Sequence, residues 1–146
     1  MNLSIREQII RAAIVAMTPV AQTYNATIFR SPAVAVERNQ LPAIIVAPDK
    51  IEVKKVNSAM ERTMVLRITA IAKRDEEGHC DALVDQISTD LCRAMATAQN
   101  FGGLCQALRE TEVEFEVDEA DVAISALPAC FEVVFRTRLD DATVKG

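Results

Sequence analysis

His79 and Cys80 are the residues of this 146-residue chain whose types best suit nucleophilic catalysis, because a histidine can serve as the base of a thiol. His79 is the single histidine, and it lies in a charged segment that we expect to be exposed. Neighbours in sequence seldom point toward each other as a catalytic dyad requires, so this pair does not predict an enzyme.

A zinc site would need four ligands from His79 and the four cysteines, which are Cys80, Cys92, Cys105 and Cys130. No two cysteines have C-x-x-C spacing, and Cys92 follows Leu91 on a predicted helix that needs apolar residues for its core face. We interpret the cysteines as free thiols of a reducing compartment, and we expect neither a metal nor a cofactor.

Four glycines leave the chain without a G-x-G-x-x-G motif or a P-loop, and we interpret Gly102-Gly103 as a helix stop. Carboxylates are abundant, and a pair of them can act as acid and base when one is desolvated in a cleft. The acidic groups are Asp75-Glu76-Glu77, the segment 110–116, Asp118-Glu119-Asp121 and Asp140-Asp141. Most of them read as solvated faces, and calcium binding at 118–121 stays an open alternative without an EF-hand pattern.

Acidic and apolar residues alternate in the segment 110–116, which predicts a strand with one buried and one outward face. The outward row would be Glu110, Glu112, Glu114 and Glu116. A second alternating strand, residues 128 to 138, ends with Arg136 and Arg138. On neighbouring strands these opposite charges would pair within the subunit, whereas at opposite edges they would make a head-to-tail surface of the kind that closes into rings.

Two segments have helical periodicity. Ser4 and Glu7 have the spacing of a capping box at the start of a helix over residues 4 to 17, which we expect Pro19 to end. A second helix is predicted over residues 80 to 98 from apolar side chains at i, i+3 and i+4.

Strand patterns fill most of the remainder. The clearest is residues 62 to 73, with Met64, Leu66, Ile68 and Ala70 on one face. The other predicted strands are 26 to 37, continuous or split at Pro32, 41 to 46, 51 to 56 (a strand or a hairpin arm), 109 to 117 and 128 to 138.

We therefore predict a single α+β domain, a mostly antiparallel sheet of about five strands packed with two main helices in the order α-β-β-β-α-β-β, with a flexible tail at 140–146. Half of the residues are hydrophobic, and the net charge of −5 argues against a surface that grips nucleic acid. The absence of tryptophan argues against base stacking. We see no signal peptide and no membrane span.

The order of elements and two segments resemble one family. The features that carry the resemblance are the opening helix, Leu41-Pro42-Ala43-Ile44-Ile45-Val46, the strand at 62–73, the helix at 81–98, Thr111-Glu112-Val113-Glu114-Phe115-Glu116 and Leu127-Pro128-Ala129-Cys130-Phe131-Glu132-Val133-Val134-Phe135-Arg136-Thr137. Over residues 5 to 138 the chain resembles the tail terminator proteins (tail completion, minor tail protein U-like) of long-tailed bacteriophages and prophages.

The resemblance implies a non-enzymatic subunit, made in the bacterial host cytoplasm, that forms a hexameric ring in the virion tail. Such a ring caps the tail tube, ends its polymerisation and meets the head-completion or connector protein, while DNA passes through the lumen. Under this interpretation the interface or lumen residues would be Glu112, Glu114, Glu116, Arg136, Arg138, Glu76 and Glu77.

Two alternative functions belong to other classes of protein. A small ligand-binding or regulatory α+β domain would predict a pocket, a thermal shift with a small molecule and a dimer. A carboxylate enzyme ranks below it, because no acid/base pair stands out in the sequence.

Overall fold

A computed structural model describes residues 2–31, 38–73, 81–113, 116–117 and 124–146. The elements are α1 (Ile5–Thr23), β1 (Thr27–Arg30), a short 3-10 turn (Arg38–Gln40), β2 (Ala43–Val56), β3 (Ala59–Lys73), α2 (Asp81–Ala98), β4 (Ala107–Val113), β5 (Glu116–Val117) and β6 (Ile124–Arg138). The order of helices and strands confirms the predicted α+β fold.

One mixed sheet runs in the order β1-β2-β3-β6-β4, and the two-residue β5 also pairs with β6. β1 pairs with β2 in parallel, whereas every other pair is antiparallel. β3 and β6 form the centre and pair over their full lengths, from Ala59 opposite Arg138 to Lys73 opposite Ile124.

Both helices pack on one face of this sheet, and the core lies between the two layers. The predicted inward face of β3 is confirmed, since Met64, Leu66, Ile68 and Ala70 are at most 1% exposed. Their partners on the helices are apolar residues at helical spacing, and the largest of these are Ile9, Met17, Ile87, Leu91 and Met95. The core is the reason that the sheet and helices keep one fixed arrangement.

The structure corrects the predicted end of α1. Ser4 caps the helix as expected, because its Oγ accepts the Glu7 N–H at 3.1 Å. Pro19 does not end the helix, which continues to Thr23. Pro19 has no N–H to donate to the carbonyl of Val15, four residues earlier. The side chain of Val15 is 71% exposed, whereas Met17 and Ala21 are buried on the other side of the helix. Burial of this inner face outweighs the defect on the solvent side.

β2 also differs from the prediction. The segment 41–46 was expected as a short strand, and 51–56 as a further strand or a hairpin arm. Residues 43–56 form one strand with a register shift between Pro48 and Lys50. The hairpin arm is confirmed, since Val56 pairs with Ala59 at the turn into β3. A bulge accommodates the proline, which has no N–H to donate to the ladder. Residues 32–37 of the predicted strand at 26–37 lie outside the described residues.

The C-terminal segment lies against the end of β6. The Arg138 N–H donates to the Val144 carbonyl at 3.0 Å, and the Ile5 N–H donates to the Ala142 carbonyl at 2.9 Å. Asp141 accepts hydrogen bonds from the backbone and hydroxyl of Thr143. The flexibility expected of residues 140–146 stays a prediction, which these contacts make testable by amide exchange.

An ion pair ties the start of α1 to β1. Both guanidinium nitrogens of Arg30 donate to the Glu7 carboxylate, at 2.5 and 2.6 Å, and Arg11 donates to it at 3.0 Å. The hydrogen bonds from Arg30 and Arg11 lower the pKa of Glu7 from 4.5 to about 2. The charged form of Glu7 is therefore favoured in the folded chain.

We expect this pair to make stability fall with acid. Because the folded pKa is the lower one, the stabilisation is present above pH 4.5 and is lost as the pH falls toward 2. The side chains of Glu7 and Arg30 are 24% and 38% exposed, so solvent screening leaves about 1 kcal/mol. Urea unfolding at pH 7, pH 3 and pH 2 should show Glu7→Gln less stable than the parent at pH 7, closer to it at pH 3 and nearly equal to it at pH 2. Glu52→Gln, at the more exposed Lys50 pair, is the control, and a constant difference across pH would contradict this.

Candidate assembly surface

β4 carries the first described part of the predicted glutamate row, and the structure breaks that row. The register places Glu110 opposite Phe131, which is buried in the core, but Glu112 opposite Cys130 on the uncovered face. Between them Thr111 is the extra residue of a bulge, and its hydroxyl donates to the Cys130 carbonyl at 3.3 Å. The two carboxylates therefore point to opposite faces, because one inserted residue reverses the alternation.

Four further acidic residues were predicted at an interface or lumen. Glu116 lies opposite Ala126 in the ladder of β5 and β6. Glu76, Glu77 and Glu114 lie outside the described residues. The roles expected for all of these groups at an interface or lumen stay predictions.

On the helix side of the sheet, the Glu110 carboxylate contacts the thiol of Cys92. Burial, and secondarily the neighbouring Glu110 carboxylate, raise the pKa of Cys92 to about 11, and burial raises the pKa of Cys105. Cys92 and Cys105 are free thiols. A thiol with a raised pKa stays protonated at neutral pH, so these groups are poor nucleophiles and poor metal ligands.

The two predicted arginines are paired within the subunit. Arg136 contacts Glu61 of β3 at 3.4 Å, and Lys54 of β2 contacts the same carboxylate at 3.5 Å. Arg138 contacts Asp140 at 3.4 Å. β6 and β4 are neighbours as the intrasubunit alternative supposed, but the partner of Arg136 is Glu61 rather than the acidic strand, because β4 begins opposite Val134.

The face of the sheet without helices is crossed by ion pairs. Besides the Lys54, Glu61 and Arg136 chain, Arg109 of β4 contacts Glu132 of β6 at 2.5 Å. Opposite charges thus lie side by side along neighbouring strands. Within the described residues, this face shows no run of one sign that would attract a polyanion.

A groove that sequence reasoning missed lies between α1 and α2. It is open to solvent, has a volume of about 550 Å³, and is lined mainly by small side chains, among them Ala16, Ala94 and Ala98. The Tyr24 hydroxyl donates to Asp90 at 2.6 Å at its margin, which raises the pKa of Tyr24. The alanine spacing on α2 was the available signal, but only the packed pair of helices forms the groove.

The sheet has two lateral edges with opposite charge. We call residues 53–55 of β2 (Val53, Lys54 and Lys55) the basic edge, and Glu110, Glu112 and Val113 of β4 the acidic edge. The two valines are 45% and 44% exposed. Sequence analysis missed both valines, because their place at the edges follows from which strands are neighbours.

Two further observations concern metal-binding groups and membrane-spanning helices. Among the described residues, no group of three or more histidine, cysteine, aspartate or glutamate side chains is arranged to hold a metal ion. The described helices are too short or too polar to cross a bilayer.

Comparison with known proteins gives a structural likeness. No protein-family model matches the sequence, and no curated protein matches it. A chain from the virion of a native gene transfer agent (GTA) particle is similar in structure, with a TM-score of 0.65 and 9% sequence identity, over 87% of this chain and 91% of that chain. At this identity the two chains share a fold, and the α+β subunit described above has the same architecture as a component of that virion.

Proposed function

We propose that this chain is a structural subunit of a phage or phage-like virion, and specifically a tail terminator that forms a ring on the end of the tail tube. The observation that carries the proposal is the likeness in fold to a GTA virion chain, which extends over nearly the whole of both chains. A likeness in fold alone does not assign a role, and the surfaces of the chain give further support.

The surfaces support assembly better than catalysis. The raised pKa values of Cys92 and Cys105 keep these thiols protonated at neutral pH. The Glu110 and Glu112 carboxylates of β4 are exposed, and Glu61 and Glu132 lie in ion pairs. The lateral edges of the sheet have opposite charge, which favours contacts between copies of the chain over a closed monomeric surface.

The charge balance fits a conduit for DNA. The chain carries a net charge of −5, and on the uncovered face Lys54, Arg109 and Arg136 each contact a carboxylate, Glu61 being shared by two of them. A wall with few free cations releases few counterions from DNA, so DNA would pass without being held. In this proposal the partners are other copies of the chain, the tail tube protein and the head-completion or connector protein, and the location is the virion tail.

Tail tubes test the proposal directly. Gold-labelled chain added to growing tubes of the matching tail tube protein should mark one end of each tube and stop its elongation. Labelled subunits along the tube wall, or tubes that grow to unrestricted length in the presence of the chain, would contradict the proposal.

The groove between α1 and α2 supports a second candidate function, that of a small ligand-binding or regulatory domain. Ligand sites usually enclose most of the ligand surface, whereas this groove is open to solvent. A small-molecule screen by thermal shift, repeated on Ala94→Leu to fill the groove, separates the candidates. A shift that disappears in the variant would favour the ligand-binding domain.

A further inference from the structure

We propose that neighbouring copies of the chain join head to tail, with the basic edge of one copy against the acidic edge of the next. This inference rests on the proposed ring, and it names the surface by which the ring is built. The occupant of each edge is therefore a second copy of this chain.

Both edges are open in the described structure. β1 covers β2 only from Ala43 to Val46, so among the described residues no strand pairs with the outer side of residues 48–56. At the other end of the strand order, β4 pairs with β6 on one side alone. Open edges with exposed apolar side chains are contact sites unless charge or shape prevents it.

The composition of the two edges is complementary. Each has one valine that is close to half exposed and two exposed side chains of like charge. Lys55, Glu112 and Glu110 take part in no ion pair among the described residues, and Glu110 only accepts from the Cys92 thiol. Lys54 touches Glu61 at 3.5 Å but is 71% exposed. Three of the four charges are therefore available to a partner.

The directions of the strands also match. β2 and β4 run antiparallel to each other within the sheet, because the three successive pairings β2–β3, β3–β6 and β6–β4 are all antiparallel. Copies placed side by side with their helices on the same side would bring β4 of one copy antiparallel to β2 of the next. In such an antiparallel pair, residues 53, 54 and 55 of one copy lie opposite residues 113, 112 and 110 of the next, respectively.

The side chains then meet on matching faces. Val53 is level with Arg62 and Phe135 on the helix side, and Val113 is level with Ala129 on the same side. The valines would therefore face each other on the helix side of the joined sheets.

In the same register, each lysine of the basic edge lies opposite a glutamate of the acidic edge. Lys54 and Glu112 both lie on the uncovered face, since they are level with Glu61 and Cys130. Lys55 and Glu110 both lie on the helix side. The bulge at Thr111 is what allows this agreement, because without it Glu110 would share a face with Glu112.

Like edges repel each other. Two basic edges would place lysines against lysines, and two acidic edges would place glutamates against glutamates. Two-fold pairing of identical edges is thus disfavoured, and the heterologous contact remains. Heterologous contacts build closed rings when their rotation allows it.

The stagger of the contact is compatible with closure. Within one copy Val113 is level with Ile68 of β3, and Val53 is level with Arg62, six residues away along that strand. Six residues over the four strands β2, β3, β6 and β4 is 1.5 residues per strand, so the two edges of one copy are offset along the strand direction. Closed sheets need such a stagger because their strands tilt from the axis.

A disulfide test locates the contact. In Val53→Cys/Val113→Cys, mild oxidation should link copies into a ladder of covalent oligomers on a non-reducing gel. Val53→Cys/Val15→Cys is the matched control, because Val15 is more exposed, at 71%, but lies on the outer face of α1. The unsubstituted chain measures the background from the native thiols. Equal cross-linking in both double variants, or none in the first at millimolar concentration, would overturn the proposal.

Charge exchange tests the chemistry of the contact. Lys54→Glu/Lys55→Glu and Glu110→Lys/Glu112→Lys should each lose self-association at least about tenfold, since two attractions become repulsions. Mixing these two variants, or combining all four substitutions in one chain, should restore it. Association that survives either double reversal, or that the combination does not restore, would overturn the contact.

The two proposals can fail separately. Rings that form in the charge-reversed variants would leave the proposed function in place and refute this interface. Head-to-tail cross-links in a chain that neither forms rings nor binds tube ends would support the interface and refute the tail terminator.

Discussion

Replacing Phe135 with alanine is expected to lower the free energy of unfolding by about 3–5 kcal/mol, the range for buried aromatic truncations. Phe135 is fully buried on β6, level with Arg62 of β3, near the end of the sheet that carries the basic edge. The lost side chain leaves a cavity that β3 and β6 close only in part, since both strands are fixed by a continuous ladder.

Val134→Ala is the matched control for this prediction. Val134 is the preceding residue on the same strand but faces away from the helices and is only half-buried, so we expect a loss below about 1.5 kcal/mol. Urea unfolding followed by circular dichroism measures both variants. Equal losses in the two variants would contradict the placement of the core on the helix side of β6.

Replacing Pro19 with alanine is expected to stabilise the chain by about 2–2.6 kcal/mol. A proline inside a helix costs about 3 kcal/mol through its missing N–H and its clash with the preceding turn. Its restriction of the unfolded chain returns about 0.4–1 kcal/mol, so the net gain of the alanine variant is smaller than the full cost. Pro19 is exposed on α1, and no core contact is lost.

Gln22→Ala is the control for Pro19→Ala, because Gln22 is an exposed residue of the same helix beyond the proline. We expect its effect to stay within about 0.5 kcal/mol. Thermal and urea unfolding of both variants provide the measurement. Unchanged or reduced stability of Pro19→Ala would indicate that α1 ends near Pro19, as its sequence alone predicted.

Local pattern was enough to predict the elements whose burial follows a regular period. α2 was expected at 80–98 and is found at Asp81–Ala98, and the inward face of β3 is confirmed residue by residue. In both cases the packing agrees with the intrinsic periodicity of the segment. Where tertiary contacts override a local breaker, prediction was wrong, as at Pro19 in α1 and Pro48 in β2.

The candidate site was less predictable for a physical reason. Period-2 alternation placed Glu110 and Glu112 on one face, but the bulge at Thr111 separates them, and no local signal marks a bulge in that segment. The exposure of Val53 and Val113 depends on strand order, which is set by pairing between distant segments. Charges at opposite edges were considered from the sequence, but the lysines at the β2 edge are Lys54 and Lys55, whereas Arg136 and Arg138 lie on the central strand β6.

The assembly state of the purified chain tests the central claim most directly. We would measure its mass by light scattering over a wide range of concentrations and image the same peak by negative stain. The account predicts a six-subunit ring with a central hole. A chain that remains a monomer or a compact two-fold dimer at every concentration, with no ring in the images, would contradict it.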